Sequence, residues 1–562
     1  MIRRSLVILF MICALTFTGL HVGAQSPAGE KVDLDTVKKI REAELANSQV
    51  MDILSMLTDV YGPRLTGSPN AKAAATWAKD RLAEWGGQNS HLESWGPFGR
   101  GWALQKFEAS ATEPQAFPLI AFPKAWSPST NGMVTGEVIY LDAATPEELD
   151  KYKGKLKGAI VMMSPLREVN AHFKPEGTRA TDEELLAMSN AEPPGAGGGR
   201  GGGGGRPGGP GGTPNAAQQV AAKKLQMVYD EGAALLLDAG RGDGGTMFVQ
   251  SATPAPQAQG APRVSVQSMD APKIIPQVTV SVEQYNRMVR MIKKGVHVQV
   301  EVNVVARYYT DDPMSYNVIA EIPGTDLKDE VVMLGAHLDS WHSGTGATDN
   351  AAGSAVCLEA FRLIQSLGLK PRRTIRIGLW TGEEQGLLGS RAYVTQHFGE
   401  RVAPAGAAGG PGGGGGFGQQ GELKIKPENE KVAGYFNLDN GTGKIRGIYL
   451  QGNEAVRPIF RAWLAPFRDL GASTITISNT GGTDHQSFDA VGIPGFQFIQ
   501  DEVEYSSRTH HSNQDVYDRV QADDMKQASL IMASFVYNAA TRDQKLPRKP
   551  MATGGQQRAG QQ

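Results

Sequence analysis

A regular alternation beginning near Tyr316 limits this chain more than any other feature. Short runs rich in β-branched and aromatic residues, YNVIAEI, VVMLGA, TIRIGLW and VAGYFNL, are separated by helical stretches. In one of these stretches Val356, Ala360, Leu363, Ile364 and Leu367 recur at helical spacing. Strands alternating with helices predict an α/β domain with a mixed, largely parallel sheet. Open α/β sheets collect ligands outside the carboxyl ends of their strands, so the residues just after each run matter most.

Those residues are unusual as a set. VVMLGA runs into GAHLDSWHSGTGATDNAAG, which carries His337 and Asp339, and TIRIGLW runs into TGEEQGLLGS, which carries Glu383 and Glu384. VAGYFNL is followed by Asp439, and GFQFI by a loop ending in THHSNQDVYD, with His510 and His511. Each has a plain structural explanation on its own: a polar turn for HxD, or a helix start for GEE, where acids favour the amino-terminal dipole. Together they set imidazoles and carboxylates along one rim. A carboxylate two residues from a histidine can orient a metal-ligating imidazole. Of two adjacent glutamates, one can bind metal while the other takes a proton from water.

The rest of the 562 residues sets the context. MIRRSLVILFMICALTFTGLHVGA has two arginines, an apolar run and a small-residue exit, which predicts a cleaved signal peptide over 1–24 and a periplasmic or secreted protein. No later stretch is apolar enough to predict an integral membrane span. A formal net charge of −2 gives no nucleic-acid signature. Cys13 leaves with the leader and Cys357 has no partner, so no disulfide is expected. Residues 47–86 read as two amphipathic helices around PRLTGSPN. From about 116 the texture turns to short β runs (GEVIYL, GAIVMM, VTVSV) with one helical run, KKLQMVYDEGAALLL. Gly-rich tracts at 193–212 and 403–421 cannot build a core and are expected to be flexible insertions, and the tail from 546 to 562 reads as disordered.

The motifs HLDSW, GATDNAAG, TGEEQGLLGS, NLDNGTG and HHSNQD resemble those of the M28 family of zinc exopeptidases. GPRLTGSPN and WGPFGRGW resemble its secreted, plasma glutamate carboxypeptidase-like branch. The resemblance implies a three-layer α/β/α zinc-peptidase domain built from 25–115 and 306–545, with a β-rich protease-associated domain inserted over 116–305. It also implies two zinc ions, with other divalent metals as alternatives. His337 and Asp439 would complete one site, Glu384 and His511 the other, and Asp349 would bridge them. Glu383 would be the general base and Asp339 the partner of His337, with a cis peptide between Asp349 and Asn350. The family pattern of His, then Ser or Thr, then Asp four residues after His, selects His511, Ser512 and Asp515, leaving His510 as a substrate-side neighbour. Asp484 and His485, in GGTDHQSF, match a recurring substrate-pocket segment. His342 stands where the related branch often has an acid, and its role stays open.

The substrate implied is a peptide cut at one terminus. The loop IQDEVEYSSRTHH sets Asp501, Glu502 and Glu504 against a single Arg508, a balance that favours a substrate ammonium and hence an aminopeptidase or dipeptidase. A carboxypeptidase would need arranged cations to hold a terminal carboxylate. A glutaminyl cyclase-like acyltransferase would need fewer metal ligands. A receptor-like relative without catalysis would have lost ligands or the base.

Overall fold

The computed structural model describes residues 29–193, 215–258, 263–402 and 422–550. The leader, the 403–421 tract, all but Pro193 of the 193–212 tract and the end of the tail lie outside the described residues.

The alternating half of the chain forms an eight-stranded mixed sheet. From edge to edge its strands are Gln88–Trp95, Ser315–Ile322, Arg373–Trp380, Leu327–His337, Val432–Asn437, Gly495–Gln500, Ile445–Tyr449 and Thr474–Thr476. Leu327–His337 runs parallel to both neighbours, and Val432–Asn437 runs parallel to Gly495–Gln500. Antiparallel pairs join on either side of this parallel core. The carboxyl ends of four central strands therefore meet at one rim.

Side-chain alternation along the strands builds the layers. Val332, Leu334 and Ala336, with Ile375, Ile377 and Leu379, pack beneath the helices Leu34–Asn47, Pro69–Glu84, Ala352–Ser366 and Ala522–Thr541. Val331, Met333 and Trp380 point the other way, onto Tyr393 and Val394 of Leu388–His397 and Phe488 of His485–Asp489. Burial on both faces explains why these strands read as continuous apolar runs. Each fully buried aliphatic side chain contributes roughly 1.5–3 kcal/mol. The result is three layers, α/β/α.

A second eight-stranded sheet is drawn from residues 101–309. The chain leaves the first sheet at Trp95 and re-enters it at Ser315, and these two residues are register partners. Helix Val282–Ile292 packs Tyr285, Met288 and Val289 on one face of the second sheet, against Val300 and Val302. Helix Ala216–Asp230 packs Val228 and Tyr229 on the other, against Val161 and Leu236. The two sheets meet through an aromatic cluster in which WGPFGRGW supplies Trp95, Phe98 and Trp102, joined by Trp126 and Trp341.

Three local expectations differ from the structure. The second sheet opens with Gly101–Glu113, before the change of texture near 116, because this half-exposed strand carries Lys106 and Glu108 and has no apolar run to reveal it. KKLQMVYDEGAALLL is not one helix. The helix ends at Asp230, the chain turns at Gly232 with φ +75°, and Leu235–Ala239 is a central strand. The residues around 546 are packed: Leu546 is buried, Arg548 binds the main-chain carbonyls of Asn429 and Val432, and Lys549 pairs with Asp489. Among the described residues, no helix is long and apolar enough to cross a membrane.

Candidate metal centre

Each rim residue stands where its strand delivers it. His337 ends Leu327–His337, Glu383 and Glu384 come directly after Arg373–Trp380, and Asp439 comes after Val432–Asn437. Asp349 lies just before helix Ala352–Ser366, after which the chain passes through a cis Asp349–Asn350 peptide. Gly353 allows this helix to begin against the next strand end, since a Cβ there would lie 2.2 Å from the Leu438 carbonyl oxygen.

The side chains converge on Asp349. His337 Nε2 lies 3.3 Å from Asp349 Oδ1 and 3.6 Å from Asp439 Oδ2. On the other side, His511 Nε2 lies 3.1 Å from Asp349 Oδ2 and 2.8 Å from Glu384 Oε2. His510 is the more distant of the paired histidines, at 3.7 Å from Asp349 Oδ2, and its ring stacks on Tyr505. Glu383 Oε2 is 4.0 Å from His337 Nε2. In two sets, His337 with Asp349 and Asp439, and Asp349 with His510 and His511, the candidate donor atoms all lie within 4.8 Å of one another.

The donor set fits a cation. His337 Nε2, Asp349 Oδ2 and Glu384 Oε1 are buried with no hydrogen-bond partner, an arrangement that costs stability unless something binds there. His337, His510 and His511 lie within ion-pair distance of this carboxylate cluster. Burial and the neighbouring Asp349 push Glu384 up to about 8. Burial, with Asp439, Asp484 and Glu384 nearby, holds Glu383 well above the usual carboxylate range. Burial alone would lower His511, but Glu384 and Asp349 raise it to about 10. Crowded carboxylates that resist ionisation become good ligands once a divalent cation supplies the missing charge.

Asp339 meets His337 through its main chain as well as its carboxylate. The nearest partner of His337 Nδ1 is the Asp339 main-chain carbonyl at 3.0 Å, whereas the carboxylate stands 3.6 Å away. That carboxylate also accepts hydrogen bonds from Thr66 Oγ1 (2.8 Å) and from the backbone N–H groups of Glu383 (3.2 Å) and Glu384 (3.3 Å). The Asp339 carboxylate thus lies between the histidine and the glutamate pair.

Asp484 and His485 are both buried. Burial raises Asp484 to about 7, and its oxygens have no hydrogen-bond partner. His485 Nε2 lies 3.2 Å from the Thr480 carbonyl and 2.9 Å from Gln451, and burial lowers it to about 4. His342 packs away from the site, between Trp102 and Phe122, with Nε2 bonded to the Pro123 carbonyl at 2.7 Å.

Sequence reasoning assigned no role to two supports. Arg64 is fully buried and donates to the carbonyls of Leu57, Leu338, Thr345 and Gly346, bracing the loop after His337. Asp515 accepts from Thr348 N at 2.5 Å and Asp349 N at 3.2 Å, fixing the backbone of the central carboxylate. Asp515 was visible in HHSNQD, but nothing in GPRLTGSPN signals the task of Arg64.

A family model, Peptidase family M28, matches residues 317–536, which contain all of these ligand candidates and Glu383. This segment is a peptidase family M28 domain. Mouse Carboxypeptidase Q is 30% identical over 289 residues, 51% of this chain and 55% of that one, so the chain spans about half the length of the curated relatives it matches. A peptidase M28 precursor from Shewanella amazonensis has a similar fold, with 22% identity and a TM-score of 0.60 across 92% of this chain and 98% of that one. A zinc aminopeptidase from Bacillus subtilis aligns at 18% identity and a TM-score of 0.50, over 89% of this chain and 96% of that one. At these identities the two structures show a shared fold.

Proposed function

We propose that this chain is a metallo-exopeptidase in which two zinc ions share Asp349, one completed by His337 and Asp439 and the other by Glu384 and His511. Zinc held there would polarise the scissile carbonyl and acidify the attacking water. Glu383, outside both ligand sets, accepts the proton of that water and returns it to the leaving amine. Burial and its acidic neighbours raise its proton affinity above that of an ordinary carboxylate, the direction a general base needs. Asp339, through the Glu383 and Glu384 amides, keeps base and ligand in register. The observation that carries this reading is the convergence of both Nε2 atoms on opposite oxygens of one buried aspartate. The leader supports a periplasmic or secreted location, and the insertion of a second sheet between Trp95 and Ser315 supports a protease-associated domain.

We favour cleavage at the amino terminus, because Asp484 is a buried acid outside the ligand sets and suits a substrate ammonium. A carboxy-terminal reading draws on Arg241. This residue stacks on Phe248 at 4.3 Å, and among the described residues no carboxylate lies within ion-pair distance of it. The test joins metal analysis to peptides blocked at either end. Glu383→Gln should keep both metals and lose about a hundred- to ten-thousand-fold in turnover. Loss of one metal in that variant would exchange the roles of Glu383 and Glu384. Amino-acetylation should stop hydrolysis by the native chain while carboxy-amidation is tolerated. The opposite pattern makes it a carboxypeptidase, and cleavage of doubly blocked peptides defeats the exopeptidase reading.

A further inference from the structure

The two histidines that face Asp349 are held in unequal ways. His337 is oriented from within its own turn, by the Asp339 carbonyl two residues on. His511 is oriented from the second sheet. The loop after strand Leu235–Ala239 runs antiparallel to the His511 loop, with Phe248 opposite Ser512. Val249 N donates to the His511 carbonyl at 3.0 Å, and Asn513 N donates to the Met247 carbonyl at 3.0 Å. Asn513 closes the pairing through its side chain, accepting from Met247 N at 2.7 Å and donating to Gly245 O at 3.1 Å. Next to this ladder the Gln250 side-chain Nε2 lies 3.0 Å from His511 Nδ1.

The backbone of His511 has φ +64°, a left-handed conformation that non-glycine residues seldom adopt. The ladder fixes that backbone, and the Gln250 contact fixes the ring. For Nε2 to offer its lone pair, the ring proton must sit on Nδ1, and Nδ1–H then needs an acceptor. A carboxamide supplies one through its oxygen, since rotating the amide by half a turn exchanges its oxygen and nitrogen.

We infer that Gln250 is a positioning residue for His511, so that the second sheet completes one of the two metal sites of the first. This rests on the metal reading above. Partners of this kind are worth about ten- to a hundredfold in metal affinity. The effect should be confined to the ion that His511 holds, because His337 has its own carbonyl.

The test monitors zinc release from the full zinc-loaded chain to an excess of chromogenic chelator. In Gln250→Met, which keeps the side-chain length but removes the acceptor, one ion should leave about ten to a hundred times faster while the other keeps its native rate. Gln250→Glu, with a carboxylate acceptor for the same proton, should release that ion more slowly than the native chain. Unchanged release of both ions from the Met variant, or equal acceleration of both, overturns the inference. If the Met variant does not fold, the Glu variant decides alone, and release at or above the native rate refutes the assignment. His511→Ala separates the two readings. Loss of one ion there upholds the metal site whatever Gln250 does, and retention of both with native release rates removes the site itself.

Discussion

Glu44 sits at the contact between helix Leu34–Asn47 and helix Ala352–Ser366, whose amino-terminal end adjoins Asp349. Its side chain is fully buried, with one oxygen accepting from Ser48 Oγ at 2.7 Å and the other without a partner. Beside it lies buried Glu359, engaged by Arg362 and by Gln49 N. Burial, then Glu359, push the Glu44 carboxyl from an ordinary 4.5 up to about 8. The folded chain therefore binds this proton more tightly than the unfolded chain does. The associated stability is complete below about pH 4.5 and is lost as pH rises toward 8. At about 1.36 kcal/mol per pH unit, the loss reaches on the order of 3 kcal/mol by neutrality. Glu44→Gln keeps the shape and a donor for Glu359 but does not titrate. Urea unfolding of both chains should show near-equal stability at about pH 5 and an advantage of roughly 3 kcal/mol for the variant by about pH 7, rising to roughly 4 kcal/mol by about pH 8. A difference between the chains that stays constant across that interval would refute the reasoning.

Other perturbations separate ligand, packing and support. His511→Ala should lose one bound metal and His510→Ala should keep both, read by metal analysis after dialysis; the reverse would assign the ligand to His510. Gly353→Ala puts a Cβ within 2.2 Å of the Leu438 carbonyl and so should shift Asp439, lowering metal content and costing about 1–3 kcal/mol in unfolding experiments without touching a ligand. Arg64→Lys cannot reach four separate carbonyls from one nitrogen, and buried acceptors left unpaired should cost at least about 2 kcal/mol; a native melting curve would show that the loop after His337 does not depend on the guanidinium.

The parallel core was legible because its strands are buried on both faces and their polar residues stop at the rim. VVMLGA, TIRIGLW, VAGYFNL and GFQFI mark observed strands, and each leads into a donor that reaches Asp349 or the base beside it. Gly101–Glu113 was illegible because a half-exposed strand at the side of a sheet has neither an apolar run nor a clean alternation. The supports of the site escaped for another reason. Arg64 reaches carbonyls more than 270 positions away, and Gln250 meets His511 across 261 positions. No local pattern records contacts of that span. Asp339 shows the limit even within a motif, since residue type and spacing point to its carboxylate, 3.6 Å from His337 Nδ1, but not to the shorter contact from its main-chain oxygen.

The same distinction revises the charge of the loop before His511. Along the sequence, Asp501, Glu502 and Glu504 outweigh Arg508 and suggest an acidic wall for a substrate amine. In the structure Asp501 is fully buried and bonded to Arg179 at 2.9 Å and Arg446 at 3.1 Å, and Glu504 pairs with Arg519 at 2.9 Å. Arg508 is itself taken by Glu176, from the segment between strands Ile160–Met162 and Leu235–Ala239 of the second sheet. Only Glu502 of the three acids remains exposed and outside any ion pair among the described residues. Charges neutralised inside the fold cannot select a substrate terminus, because their field is cancelled within a few ångströms. The selecting charges must be those left over at the rim. Asp484, on which Arg391 acts electrostatically, stands on the side of the first sheet, and Arg241 stands on the side of the second, beside the Phe248 segment that pairs with Ser512. The end of the peptide that is recognised therefore depends on which of these two sides lies nearer the scissile bond, and the blocked-peptide assay reads that directly.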